Sequence, residues 1–223
     1  MKRHIPNALT ISRLIGAAVF IFAIVSWEAR GHADDAWLLP LAAAIFVLAV
    51  VTDALDGYLA RRWRVVSLFG RVMDPLADKV IVLGGFVMLA SPAFVVIENG
   101  RAVHLSGVDS WMAVVILARE LLVTAIRSVM EARGVDFSAS FTGKAKMFLQ
   151  SVAVPLLLVL VWFYLTSDAE WAEAIPMWNS VIGWTVVIVT AVSGVPYVAR
   201  AIRAGTQLSE KSNEQQHGKP PHT

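Results

Sequence analysis

The chain contains no cysteine and few charged residues. Without cysteine there is no disulfide, no thiolate zinc site and no iron–sulfur cluster. Charged side chains make up 16% of the 223 residues, where a soluble domain carries about 25%. In their place stand 57% hydrophobic residues, gathered in long apolar runs, the pattern of an integral membrane protein. The formal net charge is only +2, and the Lys and Arg behind it sit in particular connections, which reads as membrane topology and not as nucleic-acid binding. The first apolar run follows the basic lead MKRHIP, has no small-residue cleavage site and continues as a span, so it is read as a membrane segment and not as a cleavable signal.

The apolar runs predict an all-α integral membrane protein, a bundle of six transmembrane helices at about 7–27, 37–62, 71–97, 109–132, 146–165 and 176–202. The N-terminus, the second and fourth connections and the C-terminal flank carry nearly all the basic residues, whereas the other three connections offer only Arg30 and Arg101. The positive-inside rule then puts both termini on the cytoplasmic side of the inner membrane. Trp27, Trp37, Trp111, Trp171 and Trp178 fall at the predicted outer ends, as an aromatic belt would. Residues 1–204 form the predicted catalytic domain, and the polar tail 205–223 lacks apolar periodicity and reads as disordered. No internal repeat is evident.

One stretch stands out, DALDGYLARRWRVVSLFGRVMDPLADK, with four carboxylates at Asp53, Asp56, Asp74 and Asp78. Asp53 and Asp56 are three apart and share a helix face, which Gly57 and Ala60 continue as a smooth surface that a ligand can approach. Asp74 and Asp78, four apart, form a second pair. The apolar part of the second span is too short to cross a bilayer core, which needs about 20 residues, before it meets Asp53. The carboxylates therefore belong at a membrane edge, on the cytoplasmic side. Taken singly, an Asp near a helix end is an ordinary cap and a membrane glycine ordinary packing; as a set at the membrane edge they point to function. Four carboxylates cannot share a site ionised without cations. Oxygen donors select hard ions such as Mg²⁺ or Mn²⁺, and two such ions are the usual arrangement for phosphodiester displacement.

The pattern Asp53-x2-Asp56-Gly57-x2-Ala60-Arg61-x8-Gly70-x3-Asp74-x3-Asp78 resembles, without a gap, the signature of the CDP-alcohol phosphatidyltransferases. That resemblance implies six membrane helices and a cytoplasm-facing site. It implies that Asp53, Asp56, Asp74 and Asp78 hold two divalent cations, Mg or Mn, and that Asp78 is also the base that deprotonates the attacking hydroxyl. It implies that Asp53, Gly57, Ala60, Arg61 and Gly70 line the CDP site, and that the chain forms a homodimer. Gly84 and Gly85 would permit close helix packing.

The acceptor alcohol is read from other segments. Ile5-Pro6-Asn7-x2-Thr10-x2-Arg13, Ala118-Arg119-Glu120 with Arg127, and Gly143-Lys144-x-Lys146-x3-Gln150 are similar to the phosphatidylglycerophosphate synthase branch of that family, with a departure at Met147, where Thr is common. That branch transfers a phosphatidyl group from CDP-diacylglycerol to sn-glycerol 3-phosphate. The acceptor is a dianion, and Arg119, Arg127, Lys144 and Lys146 can supply the cations it needs. Lys144 and Lys146 could equally be ordinary positive-inside lysines, and Arg200 suits a snorkelling anchor. Asn7, Thr10 and Arg13 share a face; Asn7 could cap and Arg13 snorkel, or all three could serve the site. Glu120 is adjacent to Arg119 and so not on its face, which predicts that each pairs with groups on other helices. The alternatives are another acceptor, an inositol phosphate or phosphatidylglycerol (as in cardiolipin synthesis), and, in a different class, a divalent-cation transporter.

Overall fold

In hydrocarbon the backbone must satisfy its own hydrogen bonds, which leaves long apolar segments little choice but the helix. The computed structural model describes the backbone of residues 5–30, 35–63, 68–98, 100–134 and 141–217, and the side chains of 11–28, 35–52, 79–97, 100–134, 143 and 145–204. These residues form six α-helices: α1 (Ile5–Arg30), α2 (Leu38–Trp63), α3 (Leu68–Leu89), α4 (Ser110–Ala132), α5 (Phe141–Thr166) and α6 (Ile175–His217). The helices close into a ring, α1 on α2, α2 on α5, α5 on α6, α6 on α4, α4 on α3 and α3 back on α1, with α3 also reaching α5.

Three of the described helical segments are long and apolar enough to cross a membrane: Ile11–Glu28, Ala145–Thr166 and Glu170–Ala204. Leu38–Thr52 and Lys79–Leu89 are apolar but shorter. The helix α4 has the length of a span but carries Arg119, Glu120, Arg127 and Glu131, and intramembrane charge of that kind marks function more often than structure.

Three expectations are corrected. The third helix ends at Leu89, not near 97, and a short hairpin follows: β1 (Val95–Glu98) pairs antiparallel with β2 (Arg101–His104). The reason is local: Pro92 keeps Ser91 extended and opens a single 3-10 turn (Pro92–Phe94) in place of further α-helix, the β-branched run Val95-Val96-Ile97 favours strand, and Gly100 supplies the turn at φ +76°. The helix α6 continues to His217, past the expected end of the sixth span near 202, since Gln207, Leu208, Glu210, Lys211, Glu214 and Gln215 are sound helix formers and no proline intervenes before Pro220. Trp27 is fully buried and packs its ring 5.0 Å from Phe94, so it belongs to the core and not to an aromatic belt. Trp37, Trp111, Trp171 and Trp178 are exposed.

The apolar core is centred on α1, α2, α3 and α5, with Phe20 and Phe46 at 5.6 Å between ring centres, and takes in Met112 and Ile116 of α4 and Val186 of α6. Gly85 is used inside the chain: a Cβ there would stand 2.9 Å from Val154 and 3.3 Å from Phe46. The segment between the hairpin and α4 is clamped onto α6. A Cβ on Gly107 (φ +65°) would meet the backbone of Asn179 and Ser180 at 2.3 Å, Asn179 Nδ2 donates to the Leu105 carbonyl at 2.7 Å, and buried Ser106 donates to the Leu89 carbonyl at 2.6 Å. His104 lies 3.0 Å from Ser106 Oγ, and burial pushes its pKa below the ordinary value, against an opposing pull from Asp109.

Candidate active site

The chain path puts Asp53, Asp56, Gly57, Ala60 and Arg61 on the last turns of α2 and Gly70, Asp74 and Asp78 on the first turns of α3. Their side chains lie outside the described residues, as do those of Asn7, Thr10 and Lys144. Among the described residues no group of three His, Cys, Asp or Glu could hold a metal. The chemistry of the four-carboxylate donor set fits hard divalent cations. One residue beyond Asp78, Lys79 Nζ donates to Thr124 Oγ1 on α4.

From Thr124 a polar seam runs across α4, α5 and α6. Thr124 Oγ1 donates to the Glu120 carbonyl at 2.7 Å, a bond one helical turn long that holds the hydroxyl in place. The Glu120 carboxylate accepts from two cations through one oxygen: Arg119 Nη1 at 2.7 Å and Lys146 Nζ from α5. Arg119 is gripped from α6 as well, donating through Nη2 to Ser193 Oγ at 2.9 Å and to the Ser193 carbonyl at 3.2 Å. Its guanidinium lies 5.9 Å from the Tyr197 ring centre, within cation–π range. Further along, Gln150 Nε2 of α5 donates to Thr190 Oγ1 of α6 at 3.0 Å, both buried.

Arg119 and Glu120 thus pair with each other as well, although adjacent positions do not share a helix face. Successive helix positions point about 100° apart, but the long Arg119 stem lies over Gly194, where a Cβ would stand 3.3 Å from Arg119 Cγ and 3.6 Å from Nε. With no side chain in the way, Arg119 reaches both α6 and its own neighbour. The two residues also pair with other helices, as expected. An apolar groove of about 670 Å³ opens between α4 and α6, with Arg119 and Gly194 in its wall beside Val115, Leu122 and Val198.

Of the four expected acceptor cations, Arg119 and Lys146 come together. Lys146 is 4% exposed, which sets it apart from an ordinary surface lysine. Arg127 stands two turns beyond Arg119 and pairs with Glu131 at 3.4 Å. Arg13 is buried at 5% exposure, so it does not snorkel; Arg200 is exposed. Glu120, Lys79, Thr124 and Ser193 were not singled out as site residues. The signal for Glu120 was available, a carboxylate deep in a span, where an ionised group needs a partner.

The sequence profile of the CDP-alcohol phosphatidyltransferases matches residues 3–194. The chain belongs to the CDP-alcohol phosphatidyltransferase family. The matched part of this phosphatidyltransferase takes in the carboxylate motif and the whole polar seam from Lys79 to Ser193. It is 34% identical over 200 residues to a "Probable phosphatidylglycerophosphate synthase" of Mycobacterium tuberculosis, covering 90% of this chain and 82% of the relative. It is 31% identical to the "CDP-diacylglycerol--glycerol-3-phosphate 3-phosphatidyltransferase" of Bacillus subtilis, covering 81% and 92% respectively. A "Cardiolipin synthase (CMP-forming)" of Streptomyces coelicolor is 32% identical, over 81% of this chain and 72% of its own length.

Proposed function

We propose that this phosphatidyltransferase moves the phosphatidyl group of CDP-diacylglycerol onto sn-glycerol 3-phosphate, releasing CMP, in phospholipid biosynthesis. The observation that carries the choice of acceptor is the meeting of Arg119 and Lys146, cations from two helices, in a largely buried seam. A phosphate-bearing acceptor gives them a use, and a neutral alcohol does not. The names of the Mycobacterium and Bacillus relatives support the same reading. The Streptomyces relative favours a second reading, phosphatidylglycerol as acceptor, whose phosphodiester would also meet these cations.

In this reading six helices span the inner membrane with both termini and the site on the cytoplasmic side, the chain works as a homodimer, and residues 1–204 are the catalytic unit. Asp53, Asp56, Asp74 and Asp78 hold two divalent cations, Mg²⁺ or Mn²⁺. Bound there, the cations would draw charge from the pyrophosphate and ease the departure of CMP. Asp53, Gly57, Ala60, Arg61 and Gly70 seat the CDP group. Arg119 and Lys146, with Arg127 and Lys144 nearer the helix ends, bind the acceptor phosphate, and Asn7, Thr10 and Arg13 serve as accessory residues. Asp78 takes the proton of the glycerol hydroxyl as its oxygen attacks the β-phosphorus. The bond from that phosphorus to the CMP oxygen breaks, and CMP leaves with the electron pair.

The test is an acceptor panel with purified protein in detergent, CDP-diacylglycerol and Mg²⁺ or Mn²⁺. Glycerol 3-phosphate should yield phosphatidylglycerophosphate and CMP, and chelation should stop the reaction. Asp78→Asn should lower kcat by on the order of 10³-fold, within the range expected for loss of a general base, and remain folded and membrane-inserted. Product formed only with phosphatidylglycerol would move the assignment to the second reading. Near-normal turnover by Asp78→Asn would remove Asp78 as the base.

A further inference from the structure

We propose that Glu120 is the positioning residue of the acceptor site, setting the spacing of the two cations that grip the acceptor phosphate. This deepens the function proposed above and rests on it. Arg119 Nη1 and Lys146 Nζ donate to the same carboxylate oxygen of Glu120. The shared oxygen holds the two nitrogens within about 6 Å, the sum of two ordinary hydrogen bonds. Like charges at that distance repel, so something of opposite sign has to hold them there. Two donors so spaced can close on separate oxygens of one phosphate.

The rest of the seam makes that geometry stiff. Ser193 holds Arg119 from behind through two acceptors on α6. Thr124 ties the Glu120 turn of α4 to Lys79, the residue after Asp78 on α3. Glu120 thus couples the cations of α4 and α5 to the helix that carries the proposed base. Arg119 also keeps a donor in reserve: its Nε is buried and finds no acceptor among the described residues. A buried donor without a partner invites an explanation, and an acceptor oxygen arriving beside the guanidinium supplies one.

Glu120 touches neither the reacting phosphorus nor the CDP group in this scheme. Its loss should therefore weaken the acceptor selectively. The experiment uses the full-length protein in detergent with Mg²⁺, varying glycerol 3-phosphate and CDP-diacylglycerol in turn. Glu120→Gln keeps the shape and removes the charge; it should raise the KM for glycerol 3-phosphate on the order of tenfold or more and hold that for CDP-diacylglycerol within about twofold. Glu120→Asp should recover part of the loss. Ser193→Ala, which frees one side of Arg119, should shift the acceptor KM in the same direction by less. An unchanged acceptor KM in Glu120→Gln overturns the proposal. So does an equal loss for both substrates, which marks a merely structural role. If Glu120→Gln does not fold, Glu120→Asp and Ser193→Ala decide, and an unchanged acceptor KM in both overturns it. If the wild-type protein releases no CMP with glycerol 3-phosphate, the choice of acceptor has failed first, visibly and separately, and the proposal falls with it.

Discussion

The two sides of the helix ring share an apolar core, and the side of α4 and α6 adds charge to it. Where α1, α2, α3 and α5 meet, the contacts are rings and aliphatic chains, with Phe20 against Phe46 and Gly85 letting α3 close on Val154. Around α4 and α6 there are apolar contacts too, Trp111 on Trp184 among them, but an ion-pair cluster and a buried Gln–Thr bond are added to them. In a bilayer these are not equivalent. Lipid tails are as apolar as leucine, so the aromatic side gains packing but little transfer free energy. A charge in the same medium is costly unless paired, so the polar side has one good arrangement and many poor ones. The aromatic side tolerates change; the polar side fixes which groups face each other.

Breaking each side in turn should expose that difference. Glu120→Ala leaves Arg119 and Lys146 buried without their common carboxylate. Removing one partner of a buried pair costs about 3–5 kcal/mol, and the thermal midpoint in detergent should fall steeply, with transfer activity lost. Phe46→Ala deletes a fully buried ring; in soluble cores this costs about 3–5 kcal/mol, but with lipid as the reference the transfer part shrinks. Its midpoint should fall less, and its activity should survive below that midpoint. Equal effects of the two substitutions would erase the distinction.

A smaller effect sharpens it. Gln150→Leu removes the donor that pairs with buried Thr190, at a cost of about 1–3 kcal/mol. Adding Thr190→Val should restore most of the midpoint, because two apolar groups leave nothing unsatisfied. A double variant as poor as the single one would show that the bond itself holds α5 to α6.

The smallest effect lies outside the ring, at His104, the last residue of β2. Burial holds its folded pKa below the ordinary value of 6.5, so the unfolded chain takes up a proton more readily. Stability from this residue is therefore complete above about pH 6.5 and lost as pH falls through the folded value. Thermal midpoints measured from pH 8 down to pH 5 should decline in the wild type. In His104→Gln that decline should be shallower, and an identical slope would show that His104 does not contribute.

Much of this was legible in the chain itself. Apolar runs mark the helices to within a few residues at most ends, because the length of an apolar run is a local property. The third helix was overrun because Val95, Val96 and Ile97 are as apolar as a span, and only their pairing with residues 101–104 marks them as strand. Trp27 was misread for a similar reason: a tryptophan near a span end has the same sequence character whether it faces lipid or Phe94. The pairing of Arg119 with Glu120 was missed because helical spacing speaks of Cβ directions, whereas a long guanidinium stem can turn back wherever its neighbour is a glycine, here Gly194 from another helix.

The carboxylate motif of residues 53–78 is a fact of sequence. Its spacing fixes which carboxylates share a helix face and, with the matching profile, the family. The basic residues of α4 and α5 are likewise countable: Arg119, Arg127, Lys144 and Lys146 are all candidates for one anion. Only the tertiary structure decided which two of them meet at Glu120. That meeting joins α4 to α5 across 26 residues of chain, and Ser193 adds α6 from 74 residues away. Local periodicity carries no term for such distances. They are settled by how helices pack, and in a membrane that packing is steered by the charges that cannot be left alone.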